Sequence, residues 1–188
     1  VDEMVALTKP DKVVWIDGSK EQLDALTDEV TSLPEGNRDK MYRLNEEKLP
    51  GCLYHRTLPN DVARVEDRTF ICTKKKEDAG PTNNWMAPDE MKAKLVPLYD
   101  GVMKGRTMYV IPYSMGPIGS PLAKVGVELT DSIYVVLNMN IMTRMGADAF
   151  KNLGDTSNDF VRGLHSKADV DPEKRYIVQF PEENTIWS

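Results

Sequence analysis

The sequence is poor in the residues that most often hold metals or form covalent intermediates, because its 188 residues include only two cysteines and two histidines. Cys52 and Cys72 are too few and too far apart in the chain for a disulfide framework or a zinc site. His55 lies three residues after Cys52, but two potential ligands do not make a metal site. His165 has no acid or nucleophile beside it in the sequence, so we interpret it as structural or exposed.

The sequence also lacks long apolar runs and an excess of basic charge. No run of eighteen apolar residues is present, so no membrane span is predicted. The first twelve residues, VDEMVALTKPDK, do not resemble a secretory signal, and we expect a cytoplasmic protein. A net charge of −6 argues against binding to nucleic acid. The basic run Lys74–Lys76 is followed by Glu77 and Asp78 and is typical of a solvated loop.

The composition of the chain and the absence of a linker-like segment favour one domain. The chain is 40% hydrophobic and 29% charged, which is typical of a globular protein with a sizeable core. No Ser/Gly-rich linker or internal repeat divides it, so we expect residues 1–188 to form a single domain. The apolar run at Thr185–Trp187 is interpreted as the start of a strand, and we expect the domain to be incomplete at its carboxyl end.

The most informative stretch is Lys104–Asp131. Residues 107–111 form an apolar run of strand-forming residues, and we expect Pro112 to end that strand. Two glycines and two prolines follow within Ser114–Pro121, so this loop has a specified shape. Backbone binding of an anion there is disfavoured because the prolines have no amide hydrogen. Val125, Val127 and Leu129 then alternate as in a half-buried strand.

Further strands and helices are predicted on either side of this stretch. The apolar run Ile133–Leu137 is interpreted as a strand that leads into a helix over residues 138–153. Residues 155–164 are interpreted as a loop into a short helical piece, SNDFVRGLHS. A helix is predicted to start after the N-cap Ser19 and to end before Pro34, and another to start near Pro88. The remaining predicted strands are Val13–Ile16, Thr69–Thr73 and Arg175–Phe180. Together these elements indicate an α/β fold with a mixed β-sheet flanked by helices.

The segment MKGRTMYVIPYSMGPIGSPLAKVGVELTDSIYVVLNMNIMTRMG, residues 103–146, resembles the amino-terminal half of GTP-dependent phosphoenolpyruvate carboxykinase. The segment KPDKVVWIDGSKEQLDALTDEV resembles the opening strand and helix of the same family. The resemblance extends over essentially the whole chain but only about the amino-terminal third of the enzyme. The resemblance implies that the chain folds as the amino-terminal domain of the phosphoenolpyruvate carboxykinase fold.

Arg64 is the candidate substrate-binding residue. It lies between Ala63 and Val65, and from the spacing alone it is better explained as a local ion pair with Glu66 or Asp61. The motif DVARVE, however, resembles the family motif whose arginine holds a carboxylate of bound oxaloacetate or phosphoenolpyruvate. The resemblance therefore implies that Arg64 binds the substrate carboxylate, a task suited to the planar guanidinium fork.

The resemblance implies a parent enzyme that converts oxaloacetate and GTP to phosphoenolpyruvate, CO2 and GDP in gluconeogenesis. Mn2+, and Mg2+ with GTP, are the implied cofactors, and the parent is expected to be a monomer. The family residues that hold metal and nucleotide have no counterpart in this chain, which also lacks the sequence GxxxxGK[ST]. We therefore expect no catalytic, cofactor-binding or metal-binding residue in it, and no activity from it alone. The alternative hypothesis is a free-standing, non-catalytic binding or structural module. An exposed face left by missing chain would favour self-association.

Overall fold

The computed structural model describes residues 1–59, 65–154, 159–168 and 171–188. Its helices are α1 (Asp2–Thr8), α2 (Lys20–Ser32), α3 (Pro88–Tyr99), α4 (Ile133–Met142) and α5 (Ala147–Leu153). Its strands are β1 (Lys12–Trp15), β2 (Met41–Arg43), β3 (Leu53–His55), β4 (Thr69–Ile71), β5 (Thr107–Met115), β6 (Lys124–Thr130), β7 (Arg144–Met145), β8 (Val161–His165), β9 (Ile177–Phe180) and β10 (Thr185–Trp187).

Eight strands of the described residues form one mixed sheet in the order β1-β5-β6-β8-β10-β9-β4, with β7 paired to β5 beside that path. The neighbours β1 and β5, β6 and β8, β8 and β10, and β4 and β9 run parallel. The pairs β5 with β6, β5 with β7, and β9 with β10 run antiparallel. Strands β2 and β3 form a separate hairpin. The expected mixed α/β fold is confirmed.

Both faces of the sheet are covered by helices, which explains the continuous apolar run at the start of β5. Met108 and Val110 lie in a core cluster with residues of α3, whereas Tyr109 and Ile111 lie in a second cluster with residues of α2 and α4. Because successive strand residues point to opposite faces, a strand between two helical layers must be apolar at every position. The central strand is therefore buried on both sides.

The predicted start of α2 is confirmed. The hydroxyl of Ser19 accepts a hydrogen bond from the Gln22 backbone N–H at 3.2 Å, as an N-cap residue does. The helix ends at Ser32, two residues before Pro34, whose ring cannot continue it. The starts of β1, β4 and β9 and the Pro88 start of α3 also agree with the sequence to within a residue or two.

The prediction that Pro112 ends its strand is wrong, since β5 continues to Met115 and Pro112 pairs with Val127 of β6. The Pro112 carbonyl accepts a hydrogen bond from Gly146 N at 2.9 Å, so its backbone polar groups point away from β6. On that side β1 has already ended, and its last pair is Trp15 with Val110. The missing amide hydrogen therefore costs no ladder hydrogen bond.

Two other segments differ from their predictions. The run Ile133–Leu137, predicted as a strand, lies in helix α4, where Val136 is fully buried. The segment SNDFVRGLHS, predicted to be partly helical, contains strand β8, which pairs with β6 and β10. Short apolar runs have no period that separates a buried helix from a buried strand, so tertiary packing decides between them.

In the described part of the chain, no helix is both long and apolar enough to cross a lipid bilayer.

Candidate functional site

Because of the directions of the strands, several polar residues lie at the same edge of the sheet, where the parallel strands β6, β8 and β10 end. The strands β6, β8 and β10 are parallel neighbours, so the residues that follow them, Asp131, Ser166 and Ser188, meet at the same edge. Strands β5 and β9 run in the opposite direction, so Arg106 and Tyr176, which precede them, lie at that edge too. Ligands of open α/β sheets commonly bind beyond the carboxyl ends of parallel strands.

A cavity of about 330 Å³ opens at this edge, and we call it the carboxyl-edge cavity. It is lined by His55, Thr57, Val65, Ser132, Tyr134, Val135, His165, Ser166, Lys167, Arg175, Tyr176, Ile177 and Ser188. The lining combines two cationic side chains with hydroxyls, imidazoles and apolar groups. This composition suits a small anionic ligand.

Asp131 is the buried centre of the polar network behind the cavity. Its side chain is 0% exposed and accepts hydrogen bonds from Arg106 Nη1 at 2.8 Å, Ser166 Oγ at 2.7 Å and the Lys167 backbone N–H at 3.1 Å. A carboxylate removed from water is costly unless it is paired and hydrogen-bonded. These three donors satisfy it and tie the end of β6 to the segment after β8.

A second set of contacts holds the same segment from the other side. The Ala168 carbonyl accepts hydrogen bonds from Arg106 Nη2 at 3.2 Å and from Arg38 Nη2. Lys167 Nζ forms an ion pair with Asp39. Residues 166–168 are therefore fixed by both the sheet and the chain that follows α2.

The two histidines of the chain both line the cavity. The Nδ1 atom of His165 lies 2.8 Å from Thr130 Oγ1, and this oxygen also accepts a hydrogen bond from Ser132 N at 3.1 Å. The ring of His55 packs on Tyr134 with centroids 4.9 Å apart. His165 thus has the structural contacts that the sequence predicted, and its position on the cavity wall was not foreseen.

The candidate residue Arg64 lies outside the described residues, as does Asp61, one of its two alternative partners. Its proposed role and the alternative ion pair both stay predictions. Val65, which follows Arg64 in the chain, lines the carboxyl-edge cavity. The described neighbour of the candidate residue therefore belongs to the site that the strand ends build.

Sequence reasoning gave no role to Asp131 or Lys167, although the position of Asp131, directly after a predicted strand, was recognisable in principle. Residues that directly follow neighbouring parallel strands are the usual ligand-site positions of α/β sheets. Asp131 follows the predicted alternating strand, but Lys167 follows β8, which was predicted as partly helical. Without β8 as a strand, nothing in the sequence places Lys167 beside Asp131.

Glu128 of β6 is a second acidic residue in an unusual environment. It pairs with Ile111 of β5 and with Gly163 of β8, and its carboxylate lies over Gly163, where a Cβ would be 1.7 Å from Oε2. Burial raises the pKa of Glu128 to about 8. It does not line the carboxyl-edge cavity.

A larger cavity of about 720 Å³ lies between helices α1, α3 and α5 and the sheet. Its walls are mainly apolar and include Met4, Leu7, Val96, Phe150 and Trp187. Two of its polar lining residues, Lys92 and Glu183, form an ion pair at 2.5 Å.

The described residues offer no grouped donor set for a divalent cation. Among residues 1–59, 65–154, 159–168 and 171–188, no three His, Cys, Asp or Glu side chains are grouped as metal ligands would be. The described residues therefore do not fit the implied Mn2+ or Mg2+.

The fold and the cavity define an α/β domain that places an anion-compatible site at the carboxyl ends of parallel strands. Residues 1–188 match the family model described as phosphoenolpyruvate carboxykinase N-terminal domain, and the chain belongs to this family. It is 58% identical, over 188 residues, to phosphoenolpyruvate carboxykinase [GTP] of Anaeromyxobacter dehalogenans, with 100% of this chain and 30% of that protein covered.

A second relative extends the comparison to another genus. The chain is 49% identical, over 199 aligned positions, to phosphoenolpyruvate carboxykinase [GTP] of Corynebacterium efficiens, with 100% of this chain and 32% of that protein covered. The chain thus spans about a third of the length of these curated relatives. The resemblance found in the sequence is confirmed at the level of the family.

Proposed function

We propose that this chain forms part of the substrate site of a GTP-dependent phosphoenolpyruvate carboxykinase. In this proposal the carboxyl-edge cavity receives a carboxylate of oxaloacetate or phosphoenolpyruvate, and Arg64 grips that carboxylate. The observation that carries the proposal is the position of Val65 on the cavity wall, directly after Arg64 in the chain. Lys167 and Arg175 line the same cavity and add positive charge to it.

The reaction proposed for the complete enzyme has two steps. The bond between C3 and the C4 carboxylate of oxaloacetate breaks, CO2 leaves, and the bonding electrons form an enolate. The enolate oxygen then attacks the γ-phosphorus of GTP, and GDP leaves with the electrons of the broken P–O bond. Such phosphoryl transfer depends on positioning and charge neutralisation rather than on covalent catalysis by the protein.

Arg64 has a positioning role in this scheme and transfers no proton. A guanidinium stays charged at any working pH and offers two parallel N–H donors to a carboxylate. It would hold the carboxylate that the reaction retains, so the enolate stays aligned with the phosphoryl group. Metal and nucleotide ligands are proposed to come from chain beyond residue 188, and the 188-residue segment alone is proposed to be inactive.

The test compares the protein from the complete reading frame with its Arg64→Lys and Arg64→Gln variants in an oxaloacetate- and GTP-dependent assay of phosphoenolpyruvate formation. Loss of a bidentate charge-assisted contact should raise the apparent KM for oxaloacetate on the order of 10- to 100-fold, with the KM for GTP nearly unchanged. Arg162→Lys is the matched control, since Arg162 lies in β8 near its start, at the opposite edge of the sheet from the cavity.

Two results would contradict the proposal. A wild-type protein without carboxykinase activity would favour the non-catalytic module instead. An active wild type whose Arg64 variants keep their KM for oxaloacetate would leave the reaction intact and remove Arg64 from the substrate site.

A further inference from the structure

Ser166 and Lys167 line the carboxyl-edge cavity and are followed by Ala168, and these three residues form a segment that belongs to no helix or strand. Its conformation depends on the contacts that surround it. Ala168 has a φ of 35°, in the left-handed region that residues with a Cβ rarely adopt. A residue stays in such a conformation only where its surroundings hold it there, and such residues concentrate at functional sites.

Asp131 and Arg106 supply contacts to every residue of this segment. Asp131 accepts from Ser166 Oγ at 2.7 Å and from Lys167 N at 3.1 Å, and it pairs with Arg106 at 2.8 Å. The same guanidinium donates to the Ala168 carbonyl at 3.2 Å. One ion pair therefore holds all three residues of the segment, two through the carboxylate and one through the guanidinium.

The pair also joins three strand ends, because Arg106 precedes β5, Asp131 follows β6, and Ser166 follows β8. The segment is tied to a fourth, since Ser166 N donates to the Ser188 carbonyl at 3.1 Å and Ser188 follows β10. Ser166, Lys167 and Ser188 all line the cavity, whereas Asp131 and Arg106 do not. Asp131 thus reaches the cavity only through the residues that it holds.

We propose that Asp131, paired with Arg106, is a positioning residue that fixes Ser166 and Lys167 in the geometry that the substrate carboxylate requires. This inference rests on the proposed function. A buried ion pair is a poor means of stabilising a fold, because apolar residues of similar volume do this equally well or better. What the pair provides here is one defined arrangement of a segment whose backbone conformation is otherwise unfavourable.

The position of the Lys167 ammonium follows from the same arrangement. Lys167 Nζ is paired with Asp39, while the Lys167 backbone is held by Asp131. Both ends of this cavity-lining residue are held, its backbone by Asp131 and its ammonium by Asp39, so its side chain is already ordered when a ligand is absent. A charge already in place needs no reorganisation when the anion binds.

The experiment uses the protein from the complete reading frame and the variants Asp131→Asn and Ser166→Ala. Asp131→Asn keeps the shape and removes the charge that pairs with Arg106. Ser166→Ala removes the hydroxyl that donates to Asp131 at 2.7 Å and accepts from Ala168 N at 3.3 Å, and it remains available if the first variant does not fold. We expect each variant to raise the KM for oxaloacetate, by about 10- to 100-fold for Asp131→Asn and less for Ser166→Ala, with the KM for GTP within about twofold of wild type.

Thr8→Val is the control for a purely structural effect. Thr8 is fully buried and its hydroxyl donates to Met4 O at 2.8 Å, in helix α1 and outside the cavity. This variant should lower the melting temperature and leave both KM values unchanged. Calorimetric titration with phosphoenolpyruvate, without nucleotide, gives a readout that does not depend on turnover, and the affinity should fall in parallel with the rise in KM.

The outcomes separate this inference from the proposed function. An inactive wild type that does not bind phosphoenolpyruvate overturns the proposed function and the positioning role with it. If the wild type is active, either of two results overturns the positioning role alone. In the first, both variants keep the wild-type KM for oxaloacetate. In the second, the KM for oxaloacetate and the KM for GTP rise together in proportion to the loss of stability. A selective rise in the KM for oxaloacetate supports it.

Discussion

Gly146 lies against the backbone of Asp17 so closely that a Cβ on Gly146 would be 2.1 Å from the Asp17 carbonyl oxygen. The same carbonyl accepts a hydrogen bond from Ala147 N at 2.9 Å. Gly18, next in the chain, is equally confined, since its Cβ would be 2.6 Å from the Met145 carbonyl. The turn between β1 and α2 therefore packs directly on the turn between β7 and α5.

Gly146→Ala should destabilise the domain strongly. The new methyl group would collide with backbone that cannot move aside, and the φ of 104° is itself unfavourable for alanine. We expect a loss of at least about 2 kcal/mol in the free energy of unfolding, measured by urea denaturation.

Gly119→Ala separates these two causes. Gly119 has a φ of 80° but no atom within 4 Å of the position of a Cβ, so only the backbone conformation is penalised. Its cost should be about 1 kcal/mol. Equal losses in the two variants would show that the contact with Asp17 is not a constraint.

Ser19→Ala should remove the N-cap of α2. The Gln22 amide would lose its hydrogen-bond acceptor, and the expected cost is about 1 kcal/mol in the free energy of unfolding. Ser19→Asp keeps an acceptor at this position and should cost only a few tenths of that amount. If both variants unfold at the same urea concentration as the parent, the cap contributes nothing.

Glu128→Gln should change how stability depends on pH. The pKa of Glu128 is raised from 4.5 to about 8, so the folded state favours the protonated carboxyl. Its stabilising contribution is complete below about pH 4.5 and is lost as the pH rises to about 8. Glutamine stays neutral throughout. The variant should match the parent near pH 4.5 and exceed its stability by on the order of 1 to 3 kcal/mol at about pH 8.

The control for this measurement is Glu90→Gln, because Glu90 is exposed on the first turn of α3. The free energy of unfolding, measured by urea denaturation at a series of pH values, should depend on pH in the same way for Glu90→Gln and for the parent. A Glu128→Gln curve parallel to that of the parent would mean that Glu128 titrates alike in the folded and unfolded chains.

The two cysteines should react very differently with a thiol reagent. Cys52 is exposed, whereas Cys72 is fully buried and burial raises the pKa of its thiol. One equivalent of 5,5′-dithiobis(2-nitrobenzoate) should react quickly with the folded chain, and a second only after unfolding. Cys52→Ser should abolish the fast phase, and a fast phase that survives this change would place Cys72 within reach of solvent.

Local chemistry in the sequence determined several elements without help from the rest of the chain. Ser19 and Pro34 bound α2, Pro88 starts α3, and Val125, Val127 and Leu129 alternate along β6. Each of these signals acts within a few residues, through a cap, a fixed φ or a period of two. The long match around residues 103–146 gave the family, which the comparison confirms.

Tertiary packing decided what local chemistry left undetermined. Ile133–Leu137 became helix because Val136 is buried against a neighbouring layer, and either conformation satisfies a short apolar run. Val161–His165 became strand through its parallel pairing with β6 and β10. Pro112 remained within β5 because the strand beside it had already ended. The contact of Asp131 with Ser166 and Lys167 depends on the parallel pairing of β6 with β8, which no local signal encodes.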